Sequence, residues 1–133
     1  MIDGNPNKRI VKKQAISWLF VVLYGAMIFF VSSLSDPVPL SPPDIIFLDK
    51  IAHLFEYAIF GILIFRAVHL YTSIKKSFFI TIFIASLFGM TDEVHQYFVE
   101  MRDADILDWF ADTMGGLIGS YIGLTIFKGD AFE

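Results

Sequence analysis

Four long apolar stretches, separated by short polar segments, make up most of this sequence. Each is about 20 residues long, which is the length that an α-helix needs to cross the hydrocarbon core of a bilayer. They cover residues 15–34, 49–71, 77–98 and 105–127. The pattern predicts an all-α fold: a membrane-embedded bundle of four transmembrane helices with short loops, forming one domain over residues 1–133.

The segments between these stretches have a predictable geometry. The connections at residues 72–76 and 99–104 are only a few residues long, so we expect neighbouring helices to be antiparallel. Residues 35–48 contain all but one of the five prolines, and we expect this loop to be extended rather than helical.

The composition supports a membrane location. Of 133 residues, 56% are hydrophobic and 18% are charged, whereas ordinary soluble domains have about 25% charged residues. A soluble domain of this size could not bury so much apolar surface. The sequence contains no cysteine, which excludes disulfides and zinc–thiolate sites, and its net charge of −4 argues against a nucleic-acid partner.

Lysine and arginine are unevenly distributed along the chain. If the N-terminus is cytoplasmic, eight of the ten basic residues lie on the cytoplasmic side, and only Lys50 and Arg102 lie outside. Because cytoplasmic segments carry the excess of Lys and Arg, we expect a multi-pass protein with both termini in the cytoplasm. The first apolar stretch is longer than the core of a signal peptide, which favours an uncleaved helix.

Several acidic side chains lie deep inside the predicted helices. Counting outward from the cytoplasmic ends at about 1.5 Å per residue places Glu56, Asp92 and Asp112 at one level, about 22 Å along their helices. Polar side chains at this depth face the bundle interior or a water-filled cavity rather than lipid. We therefore predict an outward-facing polar pocket between the second, third and fourth helices.

Each of these three helices carries a polar stripe at helical spacing. The stripes are Asp49, His53 and Glu56; Asp92, His95 and Gln96; and Asp105, Asp108 and Asp112. Asp105 also has a structural interpretation as the N-cap of the fourth helix. Lys50 and Arg102 either neutralise nearby acids or hold an anionic substrate. His69, at the cytoplasmic end of the second helix, is expected to extend to the membrane surface.

Small residues recur on the fourth helix. Gly115, Gly119 and Gly123 repeat every four residues, with Ala111 one turn earlier. Such a groove lets two helix backbones approach closely. We expect it to pack against another helix of the same chain rather than to form a dimer interface.

The polar motifs match those of a known family. They are Asp49-Lys50-Ile51-Ala52-His53 followed by Tyr57, then Asp92-Glu93-Val94-His95-Gln96, and then Arg102, Asp108, Asp112, Gly115 and Gly119. In this order and combination, the chain resembles the VanZ-like family of small bacterial membrane proteins. It departs from the family pattern at Glu100-Met101, where Pro-Gly is frequent, and at Asp112, where relatives often have Asn.

The resemblance implies a place and a broad process rather than a reaction. It implies the bacterial cytoplasmic membrane and a role in the cell envelope, and the family's namesake is associated with resistance to the glycopeptide teicoplanin. The implied partners are membrane lipids and a lipid-linked envelope precursor or a glycopeptide.

Two functions fit the predicted pocket. In the first, it binds an envelope lipid or glycan head group without turnover and without a cofactor. The residues expected to contact this ligand are Asp49, Lys50, His53, Tyr57, Gln96, Arg102, Asp108 and Asp112.

A proton pathway through the membrane is disfavoured, because the polar layer does not continue into the cytoplasmic half of the helices.

In the second, the protein is a membrane-embedded, metal-dependent hydrolase or transferase that acts on an envelope lipid. The catalytic candidates are His53, Glu56, Asp92, Glu93 and His95. A divalent cation would be held by His53, Glu56, Asp92 and His95, since mixed imidazole and carboxylate ligands suit Zn, Mn or Fe. The sequence leaves both functions open.

Overall fold

The computed structural model describes residues 6–34, 43–102 and 104–128, and these residues form four helices. The helices are α1 (Pro6–Ser32), α2 (Pro43–His69), α3 (Ile74–Gln96) and α4 (Ile106–Ile126). No strand occurs within these residues, so the all-α prediction is confirmed.

Three helices begin earlier than the apolar pattern predicts: α3 begins three residues earlier, at Ile74, and the other two begin at a proline. α1 begins at Pro6 because the basic residues before the apolar stretch are good helix formers. α2 begins at Pro43, so the prediction of an extended loop is wrong for residues 43–48. Proline is favoured in the first turn of a helix, where its missing N–H has no partner to lose. Residues 35–42 of that loop lie outside the described residues.

Three of the helices are long and apolar enough to cross a membrane. These spans are Asn7–Ser32, Phe47–His69 and Ile74–Gln96. Their outer faces expose large apolar side chains such as Phe30, Phe79 and Phe83, as expected of surfaces that contact lipid. α4 contains two aspartates and several glycines and does not belong to this group, so its crossing of the membrane stays a prediction.

Contacts along the helices establish their directions. Ser32 at the end of α1 contacts Asp92 near the end of α3, so these two helices are parallel. α2 and α4 are also parallel, because His53 contacts Asp112 and, further along both helices, Phe65 meets Gly123. Gln14 near the start of α1 donates to the carbonyl oxygen of Leu70 just beyond the end of α2, so these two helices run in opposite directions. Consecutive helices are therefore antiparallel, as predicted. α4 packs most extensively against α2 and then against α3, whereas α1 packs mainly against α2.

The glycine groove of α4 faces α2 within the same chain. A Cβ atom at Gly115 would lie 2.5 Å from the carbonyl oxygen of Leu54, and one at Gly119 would collide with the carbonyl oxygen of Ala58. Only glycine allows the two backbones to come this close. The prediction of intramolecular packing is confirmed, and this contact fixes the positions of α2 and α4 relative to each other.

An apolar core fills the middle of the bundle. Phe60 and Ile64 of α2 pack with Ile28 of α1 and Ala85 of α3, and all four are almost completely buried. Tyr57 belongs to this core, and its ring makes edge contact with Phe60. The tyrosine lies where the core meets the acidic residues described below.

Candidate functional site

The polar stripes of α2, α3 and α4 meet at one end of the bundle, where α1 and α3 end and α2 and α4 begin. His53 of α2 and Asp112 of α4 form its centre: Nδ1 of His53 lies 2.9 Å from Oδ1 of Asp112, and the side chains are 9% and 0% exposed. We call the group around this pair the polar cluster. It consists of Asp49, Lys50, His53, Glu56, Asp92, Glu93, Gln96, Asp105, Asp108 and Asp112.

Lys50 joins the beginnings of α2 and α4. Its Nζ donates to Oδ2 of Asp105 at 2.7 Å and to Oδ1 of Asp108 at 2.6 Å. Asp105 is the N-cap of α4, as predicted, because its Oδ1 accepts from the backbone N–H of Leu107. The hydrogen bond from Lys50, and then that from Leu107, lowers the pKa of Asp105 below its usual range. Lys50 thus neutralises two acids at the rim of the cluster.

Glu93 connects the end of α3 to the start of α4. Its Oε2 accepts from the backbone N–H of Asp105 at 2.8 Å, and the side chain is buried. Behind Asp112, α3 contributes Gly89, where a Cβ atom would lie 2.8 Å from Oδ2 of that aspartate. The absence of a side chain at Gly89 therefore makes room for the central aspartate.

Asp92 faces a helix that the sequence analysis left out of the pocket. Its Oδ2 accepts from Oγ of Ser32 in α1 at 2.8 Å and from Nε2 of Gln96 at 3.2 Å. His95 also faces α1, where its Nε2 lies 2.9 Å from Oγ of Ser33. Because the Ser33 hydroxyl already donates to the Phe29 carbonyl, the imidazole is the donor in this contact.

The remaining predicted residues lie around the cluster. Glu56 is half-buried and within electrostatic range of His53, Asp92 and Asp112. Asp49 is exposed. Arg102 donates from Nε to the carbonyl oxygen of Leu34 at 3.2 Å, which connects the loop after α3 to the end of α1.

Four buried atoms in this region have no hydrogen-bond partner within the described parts of the chain. They are Oδ1 of Asp92, Oε1 of Glu93, Oδ2 of Asp112 and the hydroxyl of Tyr57. Leaving a buried polar atom unsatisfied costs about 1–3 kcal/mol. Such atoms mark where a ligand donor or a cation would be accepted.

Side-chain atoms that could hold a metal ion come close together around His53. One group of ligand atoms within 4.8 Å of one another comes from His53, Glu93 and Asp112, all buried, and a second comes from Asp49, His53 and Asp108. The ligand set expected from the sequence shares only His53 with these groups. Asp92 and His95 of that set bind serines of α1, and Glu56 belongs to neither group.

A cavity of about 650 Å³ opens beside the cluster, between the end of α3 and the start of α4. Its acidic residues are Glu93 and Asp105. The rest of its lining is apolar or aromatic and includes Met90, Val94, Tyr97, Phe98, Ile106 and Trp109. Nε1 of Trp109 already donates to the Ser86 carbonyl, so this ring presents mainly apolar surface. We call this space the α3–α4 cavity.

The fold and the site together define a small all-α protein with membrane-length helices and a buried imidazole–carboxylate cluster at one end. The family model described as VanZ/LLP1 matches residues 6–128. The chain belongs to the VanZ/LLP1 family, which confirms the resemblance drawn from its motifs, and it is a membrane protein. Comparisons with curated proteins and with solved structures gave no match.

Proposed function

We propose that the polar cluster and the α3–α4 cavity bind the head group of an envelope lipid or of a lipid-linked glycan, at the outer face of the bacterial cytoplasmic membrane. The observation that carries the proposal is Glu93. One of its oxygens is used in holding α4, and the other is buried and has no hydrogen-bond partner within the described residues. The residue also lines an apolar cavity.

The chemistry of the cluster favours a ligand that donates hydrogen bonds. The unpartnered carboxylate oxygens of Asp92, Glu93 and Asp112 can only accept when ionised, so sugar hydroxyls or an amine would satisfy them. Lys50 is already bound by two aspartates, so most of the groups that remain for a ligand are hydrogen-bond acceptors. A simple anion would be repelled by this arrangement.

The cavity supplies the apolar half of the binding site. Its wall of Val94, Phe98, Ile106 and neighbouring side chains could receive part of an acyl or polyisoprenyl chain while the head group meets Glu93. Ligand sites of this kind combine a mostly apolar lining with a few polar groups that fix orientation. A lipid-linked envelope precursor has both parts, and this ligand would connect the protein to glycopeptide (teicoplanin) sensitivity.

Glu93→Gln tests this proposal with little disturbance of the fold. The amide oxygen of Gln can still accept from the Asp105 N–H, whereas its NH₂ group would replace the unpartnered oxygen with a donor. We expect native mass spectrometry of the purified protein to show a bound envelope lipid or precursor in the wild type and at least about tenfold less in the variant, a loss of 1.4 kcal/mol.

Glu100→Gln is the matched control, since Glu100 is exposed on the loop that follows α3 and does not line the cavity. It should retain the wild-type amount of lipid. The site would be excluded if both variants retained equal amounts of the envelope lipid. It would also be excluded if the wild type carried only bulk phospholipids, in the proportions in which they occur in the membrane.

A second candidate function is a metal-dependent hydrolase or transferase acting on an envelope lipid. It is favoured by the close approach of buried ligand atoms from His53, Glu93 and Asp112. Zn, Mn or Fe would suit these ligands and would activate water against an ester or phosphoester bond. Metal analysis of protein purified without chelator should then give one ion per chain, lost in His53→Ala and Glu93→Gln but retained in Glu100→Gln. A metal-free wild type that added cations do not stabilise would eliminate this candidate.

A further inference from the structure

A second cavity, of about 580 Å³, lies at the opposite end of the bundle. It is formed by the end of α2, the connection to α3, the first turn of α3 and the end of α4. We call it the basic pocket, and its lining includes His69, Thr72, Ser73, Lys75 and Lys128. It shares no residue with the polar cluster, so the inference below does not depend on the proposed function.

His69 is the buried polar residue of this pocket. The sequence analysis expected it to reach the membrane surface, but the residue is only 5% exposed. It faces inward one turn after Phe65, whose ring centroid lies 5.7 Å from that of His69. Neither ring nitrogen has a hydrogen-bond partner in residues 6–34, 43–102 and 104–128. Since an imidazole carries at least one N–H, a donor is available here.

The first turn of α3 adds backbone donors. Ser73 is the N-cap and has extended backbone angles, but its side chain makes no capping hydrogen bond. The first amides of a helix have no partners inside the helix and carry partial positive charge. Ser73 and the two residues that follow it all line the basic pocket. A helix start of this kind favours an anion.

Two exposed lysines complete the positive charge. Lys75 follows the N-cap of α3, and Lys128 follows the end of α4. Within the described parts of the chain neither lysine forms an ion pair, and the lining of the pocket contains no Asp or Glu. The pocket thus combines two ammonium groups, an imidazole and uncapped amides, with no described carboxylate to neutralise them.

We propose that the basic pocket binds a phosphoryl anion, supplied by the head group of an anionic phospholipid. Tetrahedral phosphoryl groups accept several hydrogen bonds at once. The two lysine ammonium groups, the His69 imidazole and the first amides of α3 can donate them. The lipid source follows from location, since the pocket lies at the ends of membrane-length helices and includes Tyr71 and Leu124 in its lining. Basic pockets between membrane helices bind anionic lipid head groups in this way.

The test is lipid selection by the full-length protein in detergent. Mixed micelles would contain phosphatidylglycerol and phosphatidylcholine with identical acyl chains, and native mass spectrometry would count the lipid retained. We expect one phosphatidylglycerol to be retained in preference to phosphatidylcholine. Because one lysine near a lipid phosphate contributes about 1 kcal/mol, loss of each lysine should weaken binding about fivefold.

Variants separate the pocket from general surface charge. Lys75→Gln combined with Lys128→Gln should lower the affinity about 25-fold if the two effects add. Lys76→Gln is the matched control, because Lys76 is adjacent and exposed but does not line the pocket. His69→Phe should also lower retention while preserving the folded state. If phosphatidylglycerol and phosphatidylcholine are retained equally, or if Lys76→Gln loses as much as the double variant, the proposal is overturned.

A separate measurement identifies the source of the phosphoryl group. Inorganic phosphate at millimolar concentration should leave the bound phosphatidylglycerol in place if the lipid is the natural ligand. If phosphate displaces phosphatidylglycerol from the wild type, and this effect is abolished in the double lysine variant, the pocket does recognise a phosphoryl group. The natural source of that group would then be free phosphate and not a lipid. Absence of both lipid selection and phosphate binding would refute the site.

Discussion

The two ends of this bundle handle polar groups in opposite ways. At the end with the polar cluster, acids and bases from different helices are buried and bind one another, as His53 and Asp112 do. At the end with the basic pocket, the lysines are exposed, and the buried His69 has no hydrogen-bond partner among the residues that the structure describes. The first arrangement holds helices together, whereas the second leaves donors available. Substitution of a paired group at the first end, such as His53, should therefore lower stability, whereas substitutions at the second end should mainly change ligand selection.

The largest expected difference in stability is between substitutions of the two buried histidines, one at each end. His53→Ala leaves Asp112 buried without its partner, and breaking a buried pair in this way costs about 3–5 kcal/mol. His69→Phe removes two unsatisfied nitrogens and keeps the ring volume, so it should change the free energy of unfolding by less than about 1 kcal/mol. Unfolding in mixed detergent micelles measures both. A His69→Phe variant as unstable as His53→Ala would contradict the contrast between the two ends.

A change midway between the ends should disturb both of them. Gly119→Ala places a Cβ atom against the Ala58 carbonyl and pushes α2 and α4 apart. Overpacking of this kind costs about 1–3 kcal/mol. We expect a lower free energy of unfolding together with weaker lipid retention at either end. Ile118→Val, on the exposed side of the same helix, is the control and should behave like the wild type.

The rim of the polar cluster should be less sensitive than its centre. Lys50→Gln removes two ion pairs. The pair with the partly exposed Asp105 contributes about 1 kcal/mol or less, whereas Asp108 is buried and its pair contributes more. The same unfolding measurement should rank this variant between wild type and His53→Ala. If the free energy of unfolding fell as much as in His53→Ala, Lys50 and not only His53 would be a main source of the cluster's stability.

The smallest expected effect is a pH dependence confined to the rim. Because the pKa of Asp105 is lowered in the folded state, its stabilising contribution is fully present above the usual Asp pKa of about 3.9. That contribution is lost as the pH falls through the lower folded-state value. The difference in unfolding free energy between wild type and Asp105→Asn should thus be constant near neutral pH and shrink in acid. If this difference in unfolding free energy grew in acid instead, the pKa of Asp105 would not be lowered by folding.

The fold could be predicted from the sequence to the extent that a bilayer imposes it. Long apolar stretches and short connections are enough to predict four antiparallel helices. Hydropathy could not give the helix starts at Pro6 and Pro43, because it detects apolar surface: the first turn of α1 is polar, and α2 begins with a proline and an aspartate. The glycine spacing did predict which surface of α4 packs closely, since backbone approach depends on side-chain size alone.

The site could be predicted at the level of residues but not of partners. Counting along the helices placed Glu56, Asp92 and Asp112 at one level. Which side chain binds which depends on how each helix is rotated about its axis, and spacing within one helix does not contain that information. Ser32 and Ser33 were missed because hydroxyl groups barely interrupt an apolar stretch. Their position at the end of that stretch, level with the acids, is the signal that could have found them.

The order in which the chain is made gives the Lys50 and His53 contacts a further consequence. The acids that bind these two residues, at positions 105, 108 and 112, all lie on the last helix or at its start. During translation α2 is complete well before those acids leave the ribosome. The growing protein therefore carries an ammonium group and an imidazole without these counter-groups until α4 is synthesised, and the arrival of α4 is the step that supplies them.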